Sequence, residues 1–187
     1  GGRAIAHRFD ASDEASVVGL IERALAEFGG IDGVHFNAMD MSAGTLGADS
    51  DHDLVTVPLE AWQRTLDVGL TGFLLTARHA IPPMLERGGG GIVATVSGAV
   101  YVGEPIRVAY ATAKTGITAV VRHIASAYGR RGIRANAIAP GSIPGTDGLA
   151  EMPQAGLDRL IRMGRSNRYG QPDDIGAAVV PLVTGQM

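Results

Sequence analysis

Short apolar runs alternate along the chain with longer segments in which apolar residues recur at helical spacing. This alternation is typical of a parallel sheet covered by helices. Four strands are predicted, namely AIAHRF (4–9), GVHFNA (33–38), the apolar run within GGGGIVATVS (88–97), and GIRANAIAPG (132–141).

The segments between these runs predict helices, and the first of them carries clear end signals. Ser12 or Asp13 can cap its start, and Gly29 and Gly30 lie just past its end. Further helices are predicted at 59–86, at 107–129, from Met152 to Arg165 inside an irregular segment (142–169), and from about Pro172, a residue type favoured in a first helical turn.

The order of these elements is β-α-β-α-β-α-β-α, which predicts an α/β fold in a single domain over residues 1–187. Right-handed crossovers place helices on both faces of one doubly wound parallel sheet. Ligands bind such sheets at the carboxyl ends of the strands. The candidate site residues therefore directly follow the strands: Asp10 and Ala11, Asn37 and Ala38, Ser97, and Pro140 with Gly141.

Composition narrows the possible partners. The formal charge of −3 gives no bulk attraction to nucleic acid or anionic lipid, so neither is predicted as a partner. The absence of cysteine excludes disulfides and thiol chemistry. The apolar runs are far shorter than the roughly 20 residues of a membrane helix, so the chain is expected to be soluble and cytoplasmic.

An acidic stretch, DSDHDLVTVPLE at 49–60, has carboxylates at the first, third, fifth and twelfth positions, as a calcium-binding loop does. Leu54 stands where that loop needs glycine, Pro58 interrupts it, and no predicted helix precedes it. The stretch is therefore interpreted as a solvated loop, and no metal site is predicted.

The stretch YATAK at 110–114 contains the only lysine among sixteen Lys and Arg residues. Tyr110 and Lys114 lie four residues apart on a predicted helix and so share one face. A nearby ammonium favours the phenolate form of tyrosine, and lysine supplies it as a compact charge on a flexible stem. Ser97, at a strand end, could hydrogen-bond a substrate oxygen that Tyr110 protonates or deprotonates.

Several motifs in this order resemble the short-chain dehydrogenase/reductase family, of the 3-oxoacyl reductase and alcohol dehydrogenase type. They are Ser97 thirteen residues before Tyr110, Lys114 four residues later, GIDGVHFNA, LDVGLTGF and GIRANAIAPG. The resemblance implies a Rossmann-type fold, NAD or NADP as cofactor, and hydride transfer between the nicotinamide and a small-molecule ketone or secondary alcohol.

The resemblance also implies individual roles. Tyr110 would be the acid/base, Lys114 would assist it and bond the nicotinamide ribose, and Ser97 would orient the substrate oxygen. The implied cofactor contacts are Asp10 and Ala11 at the adenine, Asn37 and Ala38 at the adenosine ribose, and Pro140, Gly141 and Ile143 at the nicotinamide carboxamide.

Some features depart from the family pattern. Met39 replaces the glycine of an Asn-Asn-Ala-Gly turn, and Gly69 replaces the asparagine that is the fourth catalytic residue. No Gly-rich phosphate-binding turn is present, and the sequence stops before the family's last strand. The sheet is therefore expected to be incomplete at both ends, with the sequence a fragment or lacking internal segments rather than a minimal variant.

Two other functions stay open on these residues. The chain could be a non-catalytic Rossmann-like binding or scaffold protein, or an enzyme that uses the Tyr-Lys pair for epimerisation or dehydration. The residues do not predict the substrate or the choice between NAD and NADP. The resemblance further implies a homotetramer or homodimer that assembles through helices 59–86 and 107–129.

Overall fold

The computed structural model describes residues 2–41, 51, 53–103, 105–143, 153–164 and 167–186. The helices are α1 (Glu14–Phe28), α2 (Leu59–Leu66), α3 (Gly72–Glu86), α4 (Val108–Tyr128), α5 (Gln154–Gly164) and α6 (Pro172–Thr184). The strands are β1 (Gly33–Phe36), β2 (Gly90–Thr95) and β3 (Ile133–Ile138). These elements confirm the second, third and fourth predicted strands and every predicted helix.

The three strands form a parallel sheet in the order β1-β2-β3, as the predicted α/β class requires. Side chains of β2 alternate between its two faces. Ile92 and Ala94 join the main core with residues of α3 and α4, whereas Val93 points to the other face and is equally buried. Helix α6 packs on β1 and β2. The sheet is therefore covered by helices on both faces.

The predicted strand at 4–9 is wrong. The backbone of these residues is irregular, and Ala6, His7 and Arg8 are exposed to solvent. A strand must exchange hydrogen bonds with a neighbouring strand. Within the described residues the three strands pair only with one another, so an apolar run at 4–9 has no partner with which to form a strand.

The long helix predicted at 59–86 has the expected extent but is not regular throughout. Helix α2 passes into a π-helical turn at Asp67–Thr71, and α3 continues from Gly72. A π turn adds a residue to the helix and is often found at functional sites. The turn contains Gly69, one of the departures from the family pattern, and Gly69 is buried.

Hydrogen bonds at the helix ends explain where α1 begins and ends. Asp13 is the N-cap, and its carboxylate accepts the backbone N–H of Ala15 at 3.2 Å. Gly29 ends the helix with φ 75°, a left-handed conformation that glycine adopts without strain. Of the two predicted caps, Asp13 is therefore the one used. Among the described residues, no helix is long and apolar enough to cross a membrane.

Asp174 stabilises the start of α6, and this contact gives a testable stability difference. Its carboxylate accepts two hydrogen bonds from Arg168, at 2.6 and 2.9 Å, and one from the backbone N–H of Gln171 at 2.8 Å. The hydrogen bonds from Arg168, followed by that from Gln171, lower the pKa of Asp174 from 3.8 to about 2. The folded state therefore binds this proton more weakly than the unfolded state does.

We expect Asp174→Asn to lower the thermal unfolding midpoint at pH 7. Because the pKa of Asp174 is depressed in the folded state, its stabilisation is fully present above pH 3.8 and is lost as the pH falls toward 2. Thermal scans from pH 7 to pH 3 should therefore show a difference in unfolding midpoint between wild type and Asp174→Asn that becomes smaller at the acidic end. Asp173→Asn removes the same charge from the same helical turn and is the matched control. Equal midpoints for the two variants at pH 7 would contradict the prediction.

Candidate active site

Tyr110 and Lys114 lie in the first two turns of α4, as their spacing predicts. The Lys114 side chain is 3% exposed, and its Nζ donates a hydrogen bond to the carbonyl oxygen of Thr95 at 2.7 Å. The same Nζ lies 5.7 Å from the centroid of the Tyr110 ring. Thr95 is the last residue of β2, so this hydrogen bond holds the lysine at the carboxyl end of the central strand.

Burial shapes the charge state of Lys114. Removal from water disfavours the ammonium and lowers the pKa of Lys114 from 10.5 to about 8. An ammonium carries three N–H donors, and Thr95 uses one of them. The group can therefore donate two further hydrogen bonds, to a neighbouring hydroxyl or to a ligand, while it is charged.

Ser97 and the loop after β3 lie together at the same edge of the sheet. Val96 donates its backbone N–H to the carbonyl of Ile138 at 2.8 Å, and Gly98 donates to the carbonyl of Pro140 at 3.1 Å. These bonds continue the pairing of β2 with β3 past the strand ends. The predicted residues Ser97, Pro140 and Gly141 are therefore neighbours.

The Ser97 hydroxyl has a defined local partner. Its Oγ accepts the backbone N–H of Ala99 at 3.2 Å, at the start of a short 3₁₀ turn, Gly98–Tyr101. A hydroxyl has one donor and two acceptor positions, so accepting this bond leaves the O–H proton available to donate. Ser97 can therefore offer a hydrogen bond to an oxygen in the adjoining space.

A cavity of about 620 Å³ lies on the side of the site formed by the chain near 8–11 and by the end of β1. Asp10, Ala11 and Ala38 contact this cavity, although only Ala38 follows a strand, whereas Asn37 is exposed and does not line it. The full lining is Arg8, Phe9, Asp10, Ala11, Ser16, Ala38, Met39, Asp40, Arg64 and Val68.

Local hydrogen bonds fix the Asp10 carboxylate. Its Oδ1 accepts the hydroxyl of Ser12 at 2.6 Å and the backbone N–H of Ser12 at 2.9 Å. These two bonds lower the pKa of Asp10, so the group stays ionised at neutral pH. Ala11 is buried against Gly72, where an added Cβ would lie only 2.9 Å from the carbonyl oxygen of Ala11. Gly72 therefore permits the close approach that brings Ala11 to the cavity.

Ile143, the remaining predicted cofactor contact, lies against Gly170. A Cβ added to Gly170 would overlap the Ile143 side chain. This contact connects the loop after β3 to the segment that precedes α6. Ile143 is therefore held by packing against Gly170, whereas Pro140 is held by its hydrogen bond with Gly98.

The two departures from the family pattern contact each other. Met39 lines the cavity, and its Sδ lies 2.6 Å from where a Cβ on Gly69 would be. Ala113, next to Lys114, lies 3.5 Å from the same point. The Met39 side chain thus occupies the space that any side chain at position 69 would need. Sequence reasoning treated the two substitutions as separate losses, but they fit one another sterically.

We expect Gly69→Asn alone to destabilise the fold by about 1 kcal/mol, because the flexible Met39 side chain would have to move away from the new side chain. In the double variant Met39→Gly/Gly69→Asn, the space is free and part of that loss should be recovered. Urea unfolding of the two single variants and the double variant gives the coupling energy. Strictly additive free energies of unfolding would contradict the contact.

The structure also corrects the interpretation of the acidic stretch at 49–60. Asp51 is buried, and its carboxylate and carbonyl accept backbone N–H groups at the start of α4. Sequence reasoning missed this role because an aspartate in DSDHD carries no local signal that distinguishes it from its solvated neighbours. Within the described part of the chain, Asp53, Leu54 and Val55 are exposed as predicted.

The chain matches known proteins over almost its whole length. A family model described as Enoyl-(Acyl carrier protein) reductase matches residues 1–186. A 2,5-dichloro-2,5-cyclohexadiene-1,4-diol dehydrogenase of Sphingobium indicum is 38% identical over 98% of this chain and 72% of its own length. A cis-4-hydroxycyclohexanecarboxylate dehydrogenase of Sinomonas cyclohexanicum is 34% identical over 98% of this chain and 71% of its own length.

A solved structure gives the same result at the level of the fold. The structure of a 7α-hydroxysteroid dehydrogenase, complexed with NADH and 7-oxo glycochenodeoxycholic acid, superposes with a TM-score of 0.86 at 27% identity. The match covers 99% of this chain and 69% of that one. The sheet and its helices are therefore a Rossmann-like arrangement, which confirms the predicted fold class.

These matches establish the family. The chain belongs to the short-chain dehydrogenase/reductase family, as the resemblance indicated. Its named relatives are dehydrogenases, and the chain is accordingly an oxidoreductase.

Proposed function

We propose that the protein transfers a hydride between a nicotinamide cofactor and the carbon of a ketone or secondary alcohol, with Tyr110 as the acid/base. The observation that carries this proposal is the buried Lys114, which is hydrogen-bonded to the end of β2 and lies within 5.7 Å of the Tyr110 ring. A buried lysine beside a tyrosine fits acid/base chemistry, because an ammonium can stabilise the phenolate that forms when the tyrosine gives up its proton in the reaction.

In this proposal each side chain has one task. Tyr110 gives its phenol proton to the substrate oxygen during reduction and takes it back during oxidation. Lys114 stabilises the phenolate that remains. Ser97 donates a hydrogen bond to the same substrate oxygen and keeps its proton, because its Oγ already accepts the N–H of Ala99 and its O–H is available as a donor. The substrate oxygen is thus held between two hydroxyl groups.

The cavity and its neighbours fit a dinucleotide in part. Its volume of about 620 Å³ is in the usual range for small-molecule sites. Asp10, Ala11 and Ala38 would hold the adenosine end, with Asn37 next to Ala38 as a further ribose contact. Lys114 has two N–H donors available for the nicotinamide ribose. Pro140, Gly141 and Ile143 would contact the carboxamide. When bound, the cofactor supplies or accepts the hydride.

The names of the relatives support a proposal for the substrate class. The two curated relatives are named for ring-borne alcohols or diols, and the solved structure holds a ring ketone. We therefore propose a cyclic secondary alcohol or its ketone as the substrate. NAD and NADP remain equal candidates for the cofactor.

The test is turnover of NADH and of NADPH with a panel of cyclic ketones, together with calorimetric binding of each cofactor. Net consumption of reduced cofactor supports the proposal, whereas conversion without net consumption favours epimerisation or dehydration. A protein that shows no cofactor binding and no turnover would favour the non-catalytic alternative.

Assembly remains a prediction. We propose that copies of the chain associate through the two long helical segments, α2 with α3 (59–86) and α4 (Val108–Tyr128), as a dimer or tetramer. Leu59 and Leu74 are exposed apolar residues on these helices and would be covered by such contacts. Sedimentation equilibrium gives the oligomeric state directly.

A further inference from the structure

Helix α4 starts without a cap from its own sequence. Arg107 occupies the N-cap position in a left-handed conformation, φ 66°, and its side chain makes no capping hydrogen bond. The first N–H groups of a helix have no partner within the helix and must find one elsewhere. In this helix they find it in Asp51, which lies far upstream in the sequence.

Asp51 accepts three backbone hydrogen bonds from this helix start. Its carbonyl oxygen accepts the N–H of Arg107 at 2.7 Å. Its carboxylate accepts the N–H of Ala109 at 2.9 Å through Oδ1 and the N–H of Tyr110 at 2.7 Å through Oδ2. The residue is 4% exposed, so water competes little for these bonds. A carboxylate at a helix N-terminus also interacts favourably with the helix dipole.

We propose that Asp51 is a positioning residue for Tyr110, which deepens and rests on the function proposed above. Two contacts define where Tyr110 lies: Asp51 holds its backbone N–H, and the bond of Lys114 to Thr95 holds the next turn of the helix. The bond from Arg107 to Asp51 also fixes the residue whose guanidinium lies 5.0 Å above the Tyr110 ring. In this role Asp51 acts on the backbone N–H groups of α4 and not on the phenol of Tyr110.

The expected consequence is an effect on the chemical step. A displacement of about 1 Å at a reacting group can lower a rate by roughly 100-fold. The cavity that would hold the adenosine end is formed by other residues, and Asp51 is not among them. Loss of the carboxylate should therefore lower kcat while the KM for the cofactor changes little.

The variants are Asp51→Asn and Asp51→Ala, with Asp53→Asn as the matched control. The asparagine keeps the size and one acceptor oxygen, so we expect a kcat about 10-fold below wild type, and a larger loss for alanine. Asp53 lies in the same segment and is exposed, and among the described residues its carboxylate accepts the N–H of Val55 in its own turn at 2.9 Å. The control should keep wild-type kcat.

Amide hydrogen exchange separates this inference from the function on which it rests. The amides of Ala109 and Tyr110 should exchange faster in Asp51→Asn than in wild type or in Asp53→Asn, whether or not the protein turns over any substrate. If wild type shows no turnover, the proposed function fails while faster exchange still supports the contact. Unchanged exchange, or a folded Asp51→Asn with wild-type kcat where wild type is active, would overturn the inference.

Discussion

Replacing Lys114 with arginine is expected to lower kcat about 10- to 100-fold, although the positive charge is retained. The Lys114 side chain is 3% exposed and ends on the carbonyl of Thr95, so the site is shaped for a narrow ammonium. A planar guanidinium is larger and directs its donors differently, and it would displace either Thr95 or the Tyr110 ring. Steady-state rates on a responsive ketone measure the loss.

Arg122→Lys is the matched control for this exchange. Arg122 lies on α4 and is exposed, so the same pair of residue types is exchanged on the same helix away from the site. We expect this variant to keep wild-type kcat. A Lys114→Arg protein with undiminished kcat would show that a guanidinium serves the site as well as an ammonium does. It would leave the family membership intact.

The same variant should also change the dependence of stability on pH. Because burial lowers the pKa of Lys114 to about 8 in the folded state, the unfolded state binds more protons between pH 8 and 10.5. Stability conferred at this position therefore rises with pH across that window. Arginine stays charged throughout, so Lys114→Arg should lack this rise. Urea unfolding at pH 7.5 and pH 10 compares the two proteins.

Replacing Tyr110 with phenylalanine is expected to have the largest effect, a fall in kcat of about 10²- to 10⁴-fold. The change removes the one phenolic proton that the proposed reaction uses and leaves the ring in place. The backbone bond to Asp51 and the bond of Lys114 to Thr95 do not involve the hydroxyl, so the fold should be unaffected. Cofactor binding should persist, which calorimetry can verify.

Tyr128→Phe controls for the loss of a tyrosine hydroxyl on the same helix. Tyr128 lies at the far end of α4, where its ring contacts Arg131 at 5.7 Å. This variant should have wild-type activity. If Tyr110→Phe keeps more than about a tenth of the wild-type kcat, another group must exchange the proton, and the proposed mechanism is wrong.

Most of the fold could be predicted because its signals are local. Spacing of apolar residues indicated the helices, and Asp13, Gly29 and Pro172 marked helix ends that the structure confirms. The run at 4–9 has an equally apolar pattern, yet it forms no strand, since a strand depends on a neighbour that its own residues cannot report. The π turn at Asp67–Thr71 was likewise not predicted.

The candidate site likewise contains some residues that sequence spacing predicts and some contacts that it does not. Tyr110 and Lys114 are one helical turn apart, so the sequence alone places them on a common face, and Ser97 follows a predictable strand. The contact of Met39 with Gly69, and that of Asp51 with Tyr110, join segments that are distant in sequence. Such pairs depend on tertiary packing. Considered alone, Asp51 suggests a solvated residue, and Met39 and Gly69 suggest two unrelated losses.

The remote cap of α4 has a consequence for how the protein folds. Asp51 precedes Tyr110 by 59 residues, so the first turn of α4 gains its hydrogen-bond partner only after a long loop has closed. The body of the helix can form earlier from local interactions, whereas its first turn should stay frayed. We therefore expect Tyr110 to reach its place late in folding, after the sheet and the helix interior are formed.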